Sequence, residues 1–272
     1  MKFGLFTCPY QHLSLETAFS DAASFGYDYI ELWGGRPHAF APDLLNGDLD
    51  AVLRLSDRYA MPVAVYTPEH NAYPYNYMLG SDLQWEDAMQ YLTAAIRCGK
   101  ALNADYTLIS VGHSGFAPAE ERQARLHRSL FRLTREAEKL DHKIVLESLT
   151  PMESDFCSTP GEILTVLEEI DSPALLGMCD VVVPFVQNRN PVDDVRLLGS
   201  RMAHLHLTDS DGVTETHLLP GDGKMDLRRL LRELRTAGCD GRATLELVTH
   251  YMDNPSAAAE AAIRRIKELS DE

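Results

Sequence analysis

The segment "MAHLHLT" (residues 202–208) is a short apolar run that contains two histidines set two positions apart. On a β-strand, side chains two positions apart face the same way. His204 and His206 therefore share one face of this strand, and Leu205 and Leu207 share the other. Short runs rich in aliphatic residues are typical of parallel strands that are buried on both faces.

Seven other runs of this kind recur along the chain, separated by polar loops and longer amphipathic segments. They are "KFGLFT" (2–7), "YDYIELWG" (27–34), "PVAVYT" (62–67), "DYTLISV" (105–111), "KIVLES" (143–148), "ALLGMCD" (174–180) and "ATLELV" (243–248). Eight strands that alternate with helices predict an α/β fold, a (β/α)₈ TIM barrel formed as a single domain by residues 1–272. An open doubly wound sheet is the alternative, but no G-x-G-x-x-G follows the first strand, so its dinucleotide-binding form loses support.

The overall composition excludes several classes of protein. The 272 residues are 45% hydrophobic, enough for a large core, and the formal net charge of -16 argues against a nucleic-acid partner. The Arg-rich segments 122–135 and 227–235 are typical of solvated helix faces. Five scattered cysteines argue against a disulfide framework. Because we find neither a signal peptide nor an apolar run of about eighteen residues, we expect no membrane contact and a cytoplasmic location.

Polar side chains stand at the carboxyl ends of four consecutive predicted strands, from the fifth to the eighth. They are Glu147, Asp180, His206 and Glu246. Because such groups are costly to bury without partners, four of them at one end of a closed barrel predict a common binding point. Three carboxylates and one imidazole suit a single divalent ion, and we expect Mn²⁺, Co²⁺, Mg²⁺, Zn²⁺ or Ni²⁺ as the cofactor.

The alternation within 202–208 separates the two histidines in depth. His206 lies nearer the mouth of the barrel and is predicted to bind the metal ion, whereas His204 lies one layer deeper and is predicted to be a hydrogen-bonded core residue. Asp209 follows the strand and either orients a ligand or shapes the loop. Asp211 is predicted to be a turn residue.

Several other residues near the predicted mouth fit either a substrate site or the surrounding structure. Glu31 ends the second strand, His113 follows the fourth strand, and Glu153 lies in the loop after the fifth strand. Trp33 either stacks on a sugar face or fills the core. The long aromatic loop "TPEHNAYPYNYMLG" (67–80) either closes over the site or packs against the barrel.

Two glutamates beside one metal ion suggest proton transfer next to a carbonyl group. In a ketose, the ion would hold the C2 carbonyl oxygen and a neighbouring hydroxyl, and it would stabilise the enediolate that forms when the C3 proton is removed. One glutamate would remove that proton and the other would return a proton on the opposite face, which inverts C3. Hydrolysis by a metal-bound water is the alternative use of the same ligands.

The motifs around these residues resemble one known family over essentially the whole chain. The segments "LE" (146–147), "HLHLTDSD" (204–211), "LPGDGKMDL" (219–227) and "LELV" (245–248), together with Asp180, resemble the sugar-phosphate isomerase/epimerase barrels. That superfamily also includes the ketose 3-epimerases and the metal-dependent apurinic endonucleases. The endonucleases use more histidine ligands, for three metal ions, and this acidic chain offers too few matching histidines.

Three longer segments carry a more specific resemblance. They are "DYIELWGGRPHAFAPDL" (28–44), "YTPEHNAYPYNYMLG" (66–80) and "LVTHYMDNP" (247–255). They resemble the fructoselysine 3-epimerases, which interconvert fructoselysine and psicoselysine. The resemblance implies a small sugar or sugar-amine as the substrate, and a homo-oligomer fits the family.

The resemblance also implies roles for individual residues. It implies that Glu147, Asp180, His206 and Glu246 bind the metal ion, and that Glu147 and Glu246 form the acid/base pair. Glu153 matches a position that contacts the end of the substrate in related ketose epimerases. The residues predicted to bind the substrate are Trp33, Glu69, His113, Glu153 and His217.

Two positions depart from the pattern of the related ketose epimerases. His217 falls where those enzymes often carry an arginine that binds a substrate oxygen, and Val183 stands where they commonly have a substrate-binding histidine. The departure at Val183 argues against their manner of recognising free sugars. Fructoselysine has a cationic tail, which the acidic residues near the predicted mouth could accommodate, namely Glu69, Glu153 and Asp209.

The sequence therefore favours a metal-dependent C3 epimerase of a ketose-like substrate, with fructoselysine as the first choice. A 3-epimerase of free sugars is the nearest alternative. A pentulose 5-phosphate epimerase or an aldose–ketose isomerase would need basic residues at the mouth, for which Arg36 and Lys224 are the candidates. A non-enzymatic sugar-binding barrel is a further alternative, although binding alone does not require two opposed glutamates.

Overall fold

A closed barrel of eight parallel strands forms the centre of the molecule. The computed structural model describes residues 1–71 and 74–270, and its strands pair in sequence order, with the first strand closing on the eighth. The strands are β1 (Lys2–Phe6), β2 (Tyr29–Gly34), β3 (Val63–Pro68), β4 (Tyr106–Ser110), β5 (Lys143–Glu147), β6 (Leu175–Asp180), β7 (Met202–His206) and β8 (Arg242–Leu245). The predicted TIM barrel is confirmed, and each strand begins close to the start of its apolar run.

A longer helix follows each strand and packs on the outside of the barrel. These helices are α1 (Leu15–Phe25), α2 (Leu49–Tyr59), α3 (Asp82–Ala101), α4 (Ala119–Lys139), α5 (Pro160–Ile170), α6 (Pro191–Leu198), α7 (Leu227–Thr236) and α8 (Pro255–Ser270). Short helical turns lie in the connections, at Cys8–His12, Ala41–Asp43, Leu44–Asp48, Val182–Val186, Gly199–Arg201 and Thr249–Tyr251.

Local sequence signals set the bounds of α1. The hydroxyl of Ser14 accepts a hydrogen bond from the backbone N–H of Thr17, which satisfies one of the free donors at the helix start. Gly26 ends the helix with a φ of 81°, a left-handed conformation that glycine adopts without a steric penalty.

The Arg-rich segment 227–235 forms α7, an amphipathic helix. Its leucines repeat at helical spacing and are buried against the barrel, at Leu227, Leu230, Leu231 and Leu234. The opposite face carries charges, and Arg229 forms a 2.6 Å ion pair with Glu233. The segment is therefore a solvated helix face, as expected from its composition.

The barrel interior is apolar at its lower level and polar towards the carboxyl ends of the strands. The lower level includes Tyr29, Leu108, Val145 and Met178. Gly4 of β1 makes room for the Tyr29 ring, because a Cβ atom on Gly4 would lie 2.2 Å from that ring. The Tyr29 hydroxyl lies 3.1 Å from Thr244 Oγ1, where the polar level begins.

The described part of the loop 67–80 is packed against the barrel, whereas residues 72–73 within it lie outside the described residues. Tyr77 is fully buried and donates a 3.0 Å hydrogen bond to the carbonyl oxygen of Ser110. Arg125 of α4 donates to the carbonyl oxygens of Tyr77 and Gly80. These contacts support the interpretation of this part as a packed loop.

The cysteines agree with the expectation from composition. All five cysteines are free. Within residues 1–71 and 74–270, every helix is too short or too polar to span a lipid bilayer.

Candidate active site

Parallel pairing brings the carboxyl ends of β5 to β8 to the same side of the barrel. Asp180 at the end of β6 pairs in register with His206 at the end of β7, and His206 pairs with Thr244 of β8. Glu147 is the last residue of β5, and Glu246 follows β8 directly. The structure thus brings together the four residues predicted to bind a metal ion.

His206 stands at the centre of this group and contacts carboxylates on both edges of its ring. Its Nε2 donates a 3.0 Å hydrogen bond to Glu31 Oε1. Its Nδ1 lies 3.1 Å from Glu147 Oε1 and 2.8 Å from Glu246 Oε2. Because Glu31 holds the Nε2–H, the ring can present the lone pair of Nδ1 to a cation once its second proton is displaced.

His217 lies among the same carboxylates. Its Nε2 is 3.0 Å from Glu246 Oε2 and 3.4 Å from Asp180 Oδ2. Asp180 is held in place because its Oδ1 accepts a 3.0 Å hydrogen bond from the backbone N–H of Val182. His217, predicted as a substrate-binding residue, is therefore also positioned to contact a metal ion.

The polar atoms of this group fit a bound cation. Among the described residues, three sets of three offer ligand atoms within 4.8 Å of one another. Two lie at the cavity, Glu147 with His206 and Glu246, and Asp180 with His217 and Glu246; the third, Glu31 with His204 and His206, lies one layer deeper. His206 Nδ1 and His217 Nε2 are buried and lie 2.8 and 3.0 Å from Glu246 Oε2, yet the angles of these contacts leave all three atoms without a hydrogen bond in the described part of the chain. Converging lone pairs of carboxylates and imidazoles suit a divalent ion.

Glu31 and His204 form a layer beneath this group. Glu31 is fully buried at the inner face of β2 and accepts a 2.8 Å hydrogen bond from His204 Nε2. His204 also lies 3.3 Å from Thr244 Oγ1. The prediction of His204 as a buried, hydrogen-bonded core residue is confirmed.

The two predicted catalytic glutamates have opposite electrostatic surroundings. Burial raises the pKa of Glu147 to about 7, against the lowering effect of His206. Burial also acts on Glu246, but the positive charges of His206 and His217 outweigh it and lower the pKa of Glu246 to about 2. At neutral pH one glutamate can carry a proton while the other is ionised, which is the state that an acid/base pair needs.

A cavity of about 230 Å³ lies at this end of the barrel and has an acidic lining. Its six carboxylates belong to Glu69, Glu147, Glu153, Asp180, Glu215 and Glu246. Among its described lining residues there is no lysine or arginine. The lining therefore favours ligands that carry positive charge.

Glu153 and Glu215 form a second pair of carboxyl groups in this cavity. Glu153 accepts hydrogen bonds from the backbone N–H and the hydroxyl of Thr150, at 3.3 and 3.1 Å. Burial raises the pKa of Glu153 to about 8, and the nearby Glu215 and Glu147 contribute. Burial also raises the pKa of Glu215, which interacts with Glu153. Two carboxyl groups that repel each other inside a cavity are suited to share a cation.

Trp33 and Glu69 line the opposite part of the cavity wall. The indole Nε1 of Trp33 donates a 2.9 Å hydrogen bond to Glu69 Oε2. Trp33 also packs with Phe6 and Cys8 in a small apolar cluster. The structure thus places both predicted substrate-binding residues at the cavity, with the apolar part of the wall beside them.

Other candidate residues lie outside the cavity lining. The side chain of His113 is 50% exposed and lies 3.6 Å from Asp155. Asp209 shapes its loop, since it accepts hydrogen bonds from the backbone N–H groups of Gly221 and Met225. Asp211 accepts from the backbone N–H groups of Val213 and Thr214, as predicted for a turn residue. Thus neither His113 nor Asp209 is brought to the group around His206.

Comparison with known protein families shows which family this chain belongs to. A family model described as a xylose isomerase-like TIM barrel matches residues 19–269. The chain belongs to the xylose isomerase-like TIM barrel family. The resemblance seen in the motifs of the sequence is thereby confirmed.

Individual proteins are similar to this chain over its whole length. Two proteins named fructoselysine 3-epimerase, from Shigella flexneri and Escherichia coli O157:H7, are each 43% identical over 273 residues, which cover 100% of this chain and 99% of the relative. A solved structure of D-psicose 3-epimerase with D-tagatose, from Clostridium cellulolyticum H10, has a TM-score of 0.80 at 14% identity and covers 99% of both chains. The latter shows the shared fold. The similarity to proteins named as epimerases makes this xylose isomerase-like barrel an enzyme of the isomerase class.

Two residues of the site in this xylose isomerase-like barrel were not among the predicted site residues. Glu31 was expected to end the second strand, but it is the third residue of β2 and lies one layer deeper. The sequence did not show that it faces two histidines. Glu215 lies in the loop before α7, and its partner Glu153 lies in the loop after β5. No local pattern in the sequence joins those two loops.

Proposed function

We propose that this chain is a metal-dependent 3-epimerase that interconverts fructoselysine and psicoselysine. The observation that carries this proposal is the convergence of Glu147 and Glu246 on His206 Nδ1, at 3.1 and 2.8 Å, inside the acidic cavity. The identity of 43% to two proteins named fructoselysine 3-epimerase supports the choice of substrate. The structural similarity to a D-psicose 3-epimerase is in keeping with it.

The residues that would hold the metal ion are those predicted from the sequence. Glu147, Asp180, His206 and Glu246 would bind one divalent ion, for which Mn²⁺, Co²⁺, Mg²⁺, Zn²⁺ and Ni²⁺ are the candidates. When bound, the ion supplies a positive charge that stabilises negative charge developing on the ketose oxygens. Glu31 would hold the His206 ring in the orientation that this binding needs.

The two glutamates would move the protons. One of them, as a carboxylate, removes the proton from C3 and becomes a carboxylic acid. The other begins as the acid, returns a proton to the opposite face of C3 and becomes a carboxylate. The configuration at C3 inverts, and the number of protons on the pair does not change. For the reverse reaction the two glutamates exchange roles.

The charge of the cavity supports a sugar-amine rather than a sugar phosphate. Fructoselysine carries a cationic amine next to its ketose, and the cavity lining holds Glu153 and Glu215 beyond the residues proposed to bind metal. The basic residues considered for a phosphate lie elsewhere. Arg36 is exposed and pairs with Asp43, and Lys224 lines a separate surface pocket.

Proton NMR in deuterium oxide tests the proposal. The metal-loaded protein is incubated with fructoselysine, and in parallel with D-psicose and D-ribulose 5-phosphate. We expect psicoselysine to appear. We also expect deuterium to enter at C3 faster with fructoselysine than with either of the other two substrates. Faster exchange in D-ribulose 5-phosphate would contradict the proposal and support a pentulose 5-phosphate epimerase. Exchange at C1 alone would contradict it and support an aldose–ketose isomerase.

A further inference from the structure

A second buried histidine lines the cavity and has no part in the proposed proton transfer. His70 is 2% exposed and follows Glu69 in the loop after β3. Its Nε2 accepts a 3.2 Å hydrogen bond from the backbone N–H of Ser110. Because Ser110 pairs in register with Glu147, His70 lies on the Glu147 side of the cavity.

The hydrogen bond from Ser110 fixes which nitrogen of the His70 ring carries the proton. A backbone N–H can only donate, so Nε2 is unprotonated and the proton of the neutral ring sits on Nδ1. Burial lowers the pKa of His70 to about 4, although a contact with its own backbone opposes this change. Tyr77 donates to the carbonyl oxygen of Ser110 and so holds the same residue from its other backbone group.

The Nδ1–H of His70 is a buried donor; the backbone of His70 lies near the ring, but no acceptor among the described residues has the geometry of a hydrogen bond to Nδ1. A buried donor without a partner is costly, so a ligand that brings an acceptor into the cavity gains free energy. A fixed N–H donor can bind a hydroxyl or carbonyl oxygen but not an ammonium group. It is therefore suited to the sugar part of a ketose-amine and not to its cationic part.

We propose that His70 is a substrate-binding residue whose Nδ1–H donates a hydrogen bond to a hydroxyl or carbonyl oxygen of the ketose. This inference rests on the proposed function, because it assumes that the cavity takes a ketose. It adds a neutral contact on the Glu147 side to the acidic groups that would bind the amine and the metal ion. The hydrogen bond forms on binding, so it acts on KM more than on kcat.

The test combines one spectroscopic and one kinetic measurement on the metal-loaded protein. Long-range proton–nitrogen NMR of the histidine rings gives the tautomer of His70 directly, and fructoselysine is then titrated in. His70→Phe keeps a ring of similar size without the donor, and His70→Asn keeps a donor close to the Nδ1 position. His142→Phe is the matched control, since His142 is buried at the other end of the barrel and lies 2.9 Å from Thr107 Oγ1.

We expect the Nδ1–H tautomer, a shift of the Nδ1 resonance on titration, and a roughly 3- to 10-fold higher KM in His70→Phe with kcat nearly unchanged. His70→Asn should lower KM part of the way back to the wild-type value, and His142→Phe should lower only the thermal stability.

An Nε2–H tautomer, or a KM in His70→Phe equal to that of the wild type, would overturn the inference. If His70→Phe does not fold, the NMR measurements on the wild type decide. If the wild type leaves fructoselysine unchanged, the proposed function fails, and the tautomer still reports on His70 separately.

Discussion

At the scale of single residues, the ring of His206 depends on its partner Glu31. The hydrogen bond from Nε2 to Glu31 is buried and leaves Nδ1 free to face Glu147 and Glu246. A partner of this kind fixes both the tautomer and the orientation of a ligand histidine. Glu31 should therefore matter for metal binding although it does not lie among the proposed ligands.

We expect Glu31→Gln to weaken metal binding about 10- to 100-fold. The neutral amide replaces the carboxylate that accepts the hydrogen bond from His206 Nε2, so the ring is held less firmly. Calorimetric titration with Mn²⁺ measures the affinity. Glu233→Gln is the control, since Glu233 is paired with Arg229 on the outside of α7. Wild-type affinity in Glu31→Gln would show that Glu31 does not orient the ligand.

The charge of His206 makes metal binding depend on pH. Burial lowers the pKa of this ring, but the carboxylates of Glu246 and Glu31 outweigh burial and raise it well above its usual value. Without a metal ion, the His206 ring therefore carries a second proton, on Nδ1, at neutral pH. A bound cation must displace this proton. We expect affinity to increase with pH between roughly pH 6 and 8, with protons released on binding. Calorimetry in two buffers of different ionisation enthalpy measures this release, and equal binding enthalpies in both would exclude it.

The pair of Glu153 and Glu215 should distinguish a cationic substrate from a neutral one. We expect Glu153→Gln and Glu215→Gln each to raise KM for fructoselysine roughly 10-fold, because each loses a charge-assisted hydrogen bond to the amine. KM for D-psicose should change much less. Asp209→Asn is the comparison, since Asp209 binds backbone N–H groups outside the cavity. An equal change in KM for both sugars would mean that the pair does not recognise the amine.

At the scale of the elements, the strands were predictable because each is a short apolar run separated from the next by polar loops and an amphipathic segment. The alternation in β7 predicted correctly that His204 and His206 share the inner face and differ in depth. The contacts of the loops were not predictable, because they join segments that are distant in sequence. Glu215, His217 and His70 all lie in loops between strands and helices, and only the closed barrel shows what they face.

The packing of β1 against β2 depends on the glycine at position 4. Gly4→Ala would bring a Cβ atom to 2.2 Å from the Tyr29 ring, so we expect a loss of roughly 1–3 kcal/mol in the free energy of unfolding. Gly161→Ala is the matched control, since a Cβ atom there meets nothing within 4 Å and Gly161 begins a helix. Urea denaturation of the two variants measures the difference. Equal stability would show that the ring moves aside without cost.

At the scale of the whole molecule, the site exists only when the barrel closes. The proposed metal ligands lie on or directly after four different strands, β5 to β8, and the lining of the cavity adds residues from the loops. The place of the ligands followed from the sequence, because parallel strands bring their carboxyl ends together. The proposed selection of a cationic substrate depends on the sum of the cavity's charges, which appears only in the assembled molecule.

The exchange of the C3 proton of fructoselysine with deuterium oxide tests the two-glutamate proposal most directly. NMR follows this exchange in metal-loaded wild type, in Glu147→Gln and Glu246→Gln, and in the control Glu233→Gln on the outside of α7, with the metal content of each protein measured. We expect epimerisation to fall at least about 100-fold in each of the first two variants and to continue in the control. The C3 exchange of fructoselysine should fall in the variant that lacks the glutamate that removes its proton. Wild-type exchange in both metal-loaded variants, Glu147→Gln and Glu246→Gln, would contradict the proposal.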